Sequence, residues 1–120
     1  MKSNLVSEEL ALKLDTINFS RYDIQQPIKI DGVGELYPKL TLNEVQDWFR
    51  EKHDIHIQII INSWIKREYE YRIHTTNLYV NSHKFVDNPI LGDYYYVLEN
   101  AIFHCINIVD DMKKSKKFFK

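Results

Sequence analysis

The chain has little of what marks secreted, membrane-spanning or loop-rich proteins. Its 120 residues include one cysteine, three glycines and three prolines. The single cysteine, Cys105, excludes a disulfide within the chain and a zinc cluster built on several thiolates. No apolar run approaches the roughly 20 residues that cross a bilayer, and the N-terminus lacks the apolar segment of a secretory signal. We therefore expect a soluble cytoplasmic protein with no membrane partner.

Neither sign of charge dominates, but the charges are unevenly distributed. Residues 113–120 contain five lysines and no acid; without those five charges the net charge of −1 falls to −6. A domain with this net negative charge disfavours the binding of nucleic acid across its folded surface, because the phosphates are also negative. We treat residues 1–112 as one domain, the size of an ordinary single domain, and residues 113–120 as a basic tail that we expect to be disordered.

The tail offers one candidate for nucleic-acid contact. Its candidate residues are Lys113, Lys114, Lys116 and Lys117. Clustered lysines bind phosphate groups, and the binding weakens as salt rises. The alternative is that the tail is a solvated, frayed terminus without a function.

Three helices are indicated by caps and by apolar spacing. Ser7 followed by two acids predicts a short helix up to about residue 17. Thr41-Leu42-Asn43-Glu44 is a capping box, which predicts a helix over residues 42–52 with Trp48 on its buried side. A third helix is predicted over residues 91–112. Its apolar stripe consists of Leu91, Tyr95, Leu98, Ile102, Cys105 and Val109.

Two hairpins are indicated between these helices. Residues 28–37 predict a small hairpin, in which Asp31-Gly32 suits a type I′ turn. Residues 55–61 and 68–74 alternate at period two and predict an antiparallel pair, with Ile57 opposite Ile73. We also expect a shorter third strand over residues 78–80 and a loop over 81–90. The fold class is therefore α+β, in the order α-ββ-α-ββ-α, with the helices packed on one face of a small antiparallel sheet.

Histidine is the only enriched chemical residue type, with five in the chain, and His53, Asp54 and His56 are candidate metal ligands. His53, Asp54 and His56 lie close in sequence, but a helix end and a strand do not hold them in one geometry. The predicted register also places His56 near His74, and a pair of imidazoles can bind a transition metal. A third ligand is lacking, so we predict no metal site and treat this sheet face as a solvated surface.

The remaining motifs do not assemble a catalytic or cofactor site. His104 and Cys105 are neighbours on a helix, where adjacent side chains point about 100° apart. Cys105 also falls on the apolar stripe, where a free cysteine acts as a small hydrophobic residue. The Gly32-Val33-Gly34 segment is too short to cradle a phosphate. We therefore predict no catalytic residue, no cofactor and no enzymatic activity.

A run of tyrosines is the most prominent surface feature. Tyr94, Tyr95 and Tyr96 are consecutive, so they spread around the closing helix and cannot all face one core. Tyrosine is favoured at interfaces because it combines apolar area with a polar tip. We expect a contact between protein chains at these three residues or at the edge of the 68–75 strand. The alternative is that they are ordinary tyrosines at the edge of the core.

Two segments carry a resemblance to a known group. These are residues 7–19 and residues 40–55, the latter with Pro38-Lys39-Leu40-Thr41 before it and Trp48-Phe49-Arg50-Glu51 within it. Here the chain resembles small uncharacterised proteins from phages and prophages of Bacteroides-type bacteria. The closing helix departs from the group, since Gly92-Asp93-Tyr94-Tyr95-Tyr96 stands at its start. The resemblance implies a mobile-element origin, a bacterial host and an accessory role, and it transfers no site residue.

The sequence thus predicts a non-catalytic accessory protein of a phage or mobile element that acts by protein–protein contact. We expect a homo-oligomer, a dimer in its simplest form, and an unidentified protein partner. The alternative is a nucleic-acid-associated phage protein that uses the basic tail. Fold class alone does not distinguish these functions, because unrelated functions share one fold.

Overall fold

The computed structural model describes residues 3–20, 25–36, 38–75 and 92–118, with side chains as far as Lys113. Within these residues, three helices and four strands follow one another, which confirms the predicted α+β class and element order. The elements are α1 (Glu8–Asp15), β1 (Ile28–Ile30), β2 (Gly34–Leu36), α2 (Leu42–His53), β3 (Ile55–Ser63), β4 (Glu68–Thr75) and α3 (Tyr94–Phe118). The strand and loop predicted over residues 78–90 lie outside the described residues.

The described strands form two separate antiparallel sheets, β1–β2 and β3–β4. The predicted register of β3–β4 is confirmed, with Ile57 opposite Ile73 and Ile59 opposite Tyr71. One face of this sheet packs on the hydrophobic core, as expected where apolar side chains alternate along both strands. The helices supply the rest of that core, so α3 contacts β3, β4, α1 and α2.

The β1–β2 hairpin has a different turn from the one predicted. Its strands are joined by residues 31–33, and the amide of Val33 donates to the carbonyl of Ile30 at 3.1 Å. Gly32 has φ of 81°, whereas Asp31 is not among the residues with positive φ. A positive φ at the second central residue alone belongs to a type II turn, and a type I′ turn requires it at both. The prediction of type I′ is therefore corrected.

The capping box of α2 is confirmed in full. The amide of Glu44 donates to the Thr41 hydroxyl at 3.2 Å, and the Glu44 carboxylate accepts from the amide of Thr41 at 3.1 Å. The buried side chain of Gln25 donates to the same carboxylate at 3.1 and 3.2 Å. The helix ends at His53, where Asp54 adopts a left-handed conformation. The cap therefore also ties α2 to the segment that precedes the hairpin.

Thr41→Ala is expected to lower the free energy of unfolding by about 1 kcal/mol, because it leaves an amide of the first turn without its acceptor. Denaturant melts of the two proteins measure the difference. Thr41→Ser keeps the hydroxyl and should recover most of the loss. Equal stability of the alanine and serine variants would mean that the hydroxyl contributes nothing.

Helix α3 starts later and ends later than predicted. Asp93 caps it, since its carboxylate accepts from the amide of Tyr96 at 2.9 Å. The helix continues to Phe118, six residues beyond the predicted end. The disorder expected for the basic tail stays a prediction. Lysine is a good helix former, and positive charge near a helix C-terminus complements the helix dipole.

Candidate functional site

The β1–β2 hairpin presents an apolar face to solvent. Ile28 pairs with Leu36, and Ile30 pairs with Gly34, so these positions share one face. The cross-strand pair of Lys29 and Glu35 lies on the other face. Ile28, Ile30 and Leu36 are 54, 41 and 47% exposed. A two-stranded hairpin is marginal on its own in water, so an uncovered apolar face suits contact with another molecule.

A second exposed apolar site lies at the turn between β3 and β4. Trp64 is 80% exposed and Ile65 is 96% exposed, and Lys66 and Arg67 follow them at exposed positions. The turn is ordered by a hydrogen bond from the amide of Lys66 to the Ser63 hydroxyl at 3.3 Å. We call residues 64–67 the hairpin tip.

The exposure of the hairpin tip was not predicted from the sequence, where it lies within the connection between the predicted strands 55–61 and 68–74. A signal was present, because turns favour glycine, proline, asparagine, aspartate and serine. Trp64 and Ile65 have none of the properties that favour a turn residue. A large apolar pair in a four-residue turn therefore indicates a role outside folding.

A surface groove lies beside the N-terminus of α1, with a volume of about 310 Å³. Its apolar lining is formed by Leu5, Val6, Ala11 and Leu40, and its polar lining by Ser7, Glu8 and Lys39. Backbone hydrogen bonds hold its two sides together, from Val6 to Leu40 at 2.9 Å and from Leu42 to Asn4 at 2.7 Å. We call this feature the N-terminal groove.

The predicted tyrosine interface is mostly packed within the protein. The Tyr94 ring contacts Tyr69 and Tyr95 edge-on, with centroids 5.6 and 5.3 Å apart. Tyr94 and Tyr95 are partly buried against the core, whereas Tyr96 is 43% exposed. Tyr94 and Tyr95 thus have structural roles, and Tyr96 is the member of the run most open to a partner.

The histidines of the β3–β4 sheet are opposite each other, as predicted, but they face separate partners. His56 Nε2 lies 2.8 Å from the Asp54 carboxylate, and His74 Nε2 lies 3.2 Å from the Gln58 side-chain oxygen. Among the described residues, no group of three His, Cys, Asp or Glu side chains is placed to hold a metal ion.

His104 and Cys105 do not form a nucleophile–base pair. The His104 ring lies 3.1 Å from the Tyr71 hydroxyl, in a partly buried hydrogen bond. Cys105 is fully buried in the core, as the apolar stripe predicts. Burial raises the pKa of the Cys105 thiol far above its usual value. Burial also raises the pKa of the Tyr71 phenol, and the neighbouring Cys105 adds to that shift.

Cys105 is therefore expected to be unreactive in the folded protein. Alkylation and disulfide exchange require the thiolate, which burial and the raised pKa both suppress. A chromogenic disulfide reagent at pH 8 should modify less than a tenth of the protein in the time that fully modifies a urea-unfolded sample. Comparable rates in the two samples would place the thiol at the surface.

Among the described residues, no helix is both long enough and apolar enough to cross a membrane. The chain matches no protein-family model, and comparison with curated proteins and with solved structures returns no significant match.

Proposed function

We propose that this is a non-catalytic accessory protein of a phage or mobile element, located in the bacterial cytoplasm and acting by protein–protein contact. The observation that supports this function is the exposed apolar face of the β1–β2 hairpin. Ile28, Ile30 and Leu36 each leave about half of their surface in water, although twenty apolar residues of the described part of the chain are buried in the core.

The charge pattern of the hairpin favours contact through its face over contact through its edge. Antiparallel pairing of β1 with a second β1, centred on Lys29, would place two lysines opposite each other. Such like-charge pairs are unfavourable. Packing through the apolar face leaves Lys29 and Glu35 in water on the opposite side. The hairpin is therefore suited to bind an apolar surface of another protein.

The test is affinity capture from host cells that carry the mobile element. The double variant Ile28→Thr, Leu36→Thr keeps side chains that suit strands but removes apolar area. We expect it to lose a specific protein that the wild-type chain retains. The matched control is Leu12→Gln, which alters an exposed leucine on α1 and should retain that protein. Identical capture by the wild type and the double variant would exclude the hairpin.

A second candidate function is contact with nucleic acid through the lysines of α3. The continuation of helix α3 to Phe118 favours this function, because residues 113 and 117 then lie on the same side of the helix, one turn apart. Four Lys→Gln substitutions at positions 113, 114, 116 and 117 should then abolish binding to DNA or RNA at low salt. Substitution is preferable to deletion after Asp111, which would remove the buried Met112. Absence of binding by the wild type at low salt would exclude this function.

A further inference from the structure

The hairpin tip combines two apolar and two cationic side chains, and all four residues are exposed. Trp64 and Ile65 are 80 and 96% exposed, more than any other large apolar residue that the structure describes. Lys66 and Arg67 follow them directly, so the tip carries two positive charges and no negative one. The nearest acid along the chain, Glu68, is a partly buried residue of β4. The tip is thus a small cationic and apolar patch on a domain of negative net charge.

The turn holds this patch at the end of the β3–β4 hairpin. Ser63 pairs with Glu68, so residues 64–67 lie beyond the last strand pair. The amide of Lys66 donates to the Ser63 hydroxyl at 3.3 Å, and Arg67 adopts a left-handed conformation with φ of 53°. A turn that is ordered in this way loses less entropy when it binds a surface. The end of a hairpin is also convex, so a protein partner would need a matching pocket, whereas a lipid bilayer deforms around it.

The side chains of the tip suit the interface of an anionic bilayer. Tryptophan is enriched at the level of the lipid headgroups, because its ring is apolar and its N–H is polar. A lysine or arginine near an anionic membrane surface strengthens binding roughly fivefold. Nucleic acid is a poorer match, because Ile65 neither stacks on a base nor binds a phosphate, although it is the most exposed apolar residue of the tip.

We propose that the hairpin tip binds the surface of an anionic lipid bilayer. Trp64 and Ile65 enter the headgroup region, and Lys66 and Arg67 bind the lipid phosphates. The net negative charge of residues 1–112 disfavours other surfaces of the domain from facing the same lipids. The expectation of no membrane partner rested on the lack of a spanning segment in the sequence, and this contact needs none. The inference goes beyond the proposed function, since it uses no part of the β1–β2 hairpin.

Co-sedimentation of the full chain with lipid vesicles tests the inference. One set of vesicles contains phosphatidylcholine alone, and the other contains an added anionic lipid, phosphatidylglycerol. At low salt we expect the partition coefficient to be at least about fivefold higher on the anionic vesicles. It should fall as salt is added, because salt screens the attraction between the two cations and the lipid phosphates.

Two double variants separate the apolar and the cationic parts of the tip. Trp64→Ser, Ile65→Ser should lower the partition coefficient about tenfold, because it removes apolar area that leaves water on binding. Its matched control is Leu12→Ser, at an exposed leucine of α1, which should bind like the wild type. Lys66→Gln, Arg67→Gln should lower binding to the anionic vesicles about tenfold or more and change binding to phosphatidylcholine little.

The matched control for the charge variant removes two cations elsewhere. Lys29→Gln, Lys39→Gln alters two exposed lysines outside the tip and changes the net charge by the same amount. It should change the partition coefficient by less than about twofold, because charges away from the contact are screened. Circular dichroism confirms that each variant is folded.

Tryptophan fluorescence locates the contact within the chain. The wild-type emission should shift to shorter wavelength on anionic vesicles, and bromine atoms on the lipid acyl chains should quench it. The Trp64→Phe variant retains only Trp48, which is 2% exposed, so vesicles should neither shift nor quench its emission. This readout distinguishes insertion of Trp64 from binding of the chain by another surface.

Three results would overturn the inference. The first is a wild-type chain that does not bind anionic vesicles at low salt. The second is a tip variant of either kind that binds them as strongly as the wild type. The third is quenching of Trp64 by single-stranded DNA but not by vesicles, which would assign the tip to nucleic acid. The variant Ile28→Thr, Leu36→Thr should bind vesicles like the wild type, so none of these results would affect capture of a protein by the β1–β2 hairpin.

Discussion

Trp48→Ala is expected to lower the free energy of unfolding by about 3–5 kcal/mol, a large part of the stability of a domain of this size. Only 2% of the Trp48 side chain is exposed. Its ring meets Phe19, Phe49 and His53 edge-on, with centroids 4.9, 5.0 and 4.9 Å apart. Alanine would remove these contacts and leave a cavity between α2 and the residues after α1.

Denaturant melts measure this loss, with Trp64→Ala as the matched control. Trp64 is 80% exposed, so the same substitution should change the unfolding free energy by less than about 0.5 kcal/mol. Fluorescence gives a second readout in the Trp64→Phe variant, where Trp48 is the sole tryptophan. Its emission maximum should lie at the short wavelength of a buried indole and shift to the red on unfolding. Similar losses for both alanine variants would contradict the burial of Trp48.

Ile102→Asp is expected to prevent folding. Ile102 is fully buried in the middle of α3, in the core cluster to which α1, α2, β3 and β4 also contribute. An unpaired carboxylate in apolar surroundings costs several kcal/mol, and the lost apolar contacts add to that cost. Together they approach the 5–15 kcal/mol that stabilises a whole domain.

The control for this substitution is Asn107→Asp, which adds the same charge to an exposed position of α3. It should keep the wild-type circular dichroism spectrum and cooperative melt, whereas Ile102→Asp should lose its near-ultraviolet signal and its cooperativity. A cooperative melt of Ile102→Asp near the wild-type midpoint would show that α3 is not held in the core at this residue.

The elements that could be predicted depend on residues close together in the chain. The Thr41–Glu44 box spans a single helical turn, so the sequence alone specifies its two hydrogen bonds. The β3–β4 register follows from apolar alternation along two adjacent strands with a short connection. The stripe of α3 predicted the burial of Leu98, Ile102 and Cys105 for the same reason.

The surfaces with the strongest claim to function could not be predicted in this way. Tyr94 looks like an interface residue in the sequence, but it packs on Tyr69, which is 25 positions earlier in the chain. Ile28 and Leu36 lie in the predicted small hairpin, and only the structure shows that about half of each residue remains exposed. Alternation shows that a strand has an apolar face, but it does not show whether anything covers that face.

The sequence by itself determined the α+β class, the caps of α1 and α2, the register of the long hairpin and the apolar stripe of α3. Each of these follows from hydrogen bonds or side-chain periodicity within one element or between neighbouring elements. Only the tertiary structure decided that Tyr94 and Tyr95 pack against the core while Trp64 and Ile65 remain exposed, and that Leu5 and Leu40 line one groove. Exposure is a property of how distant segments pack, so local pattern cannot fix it.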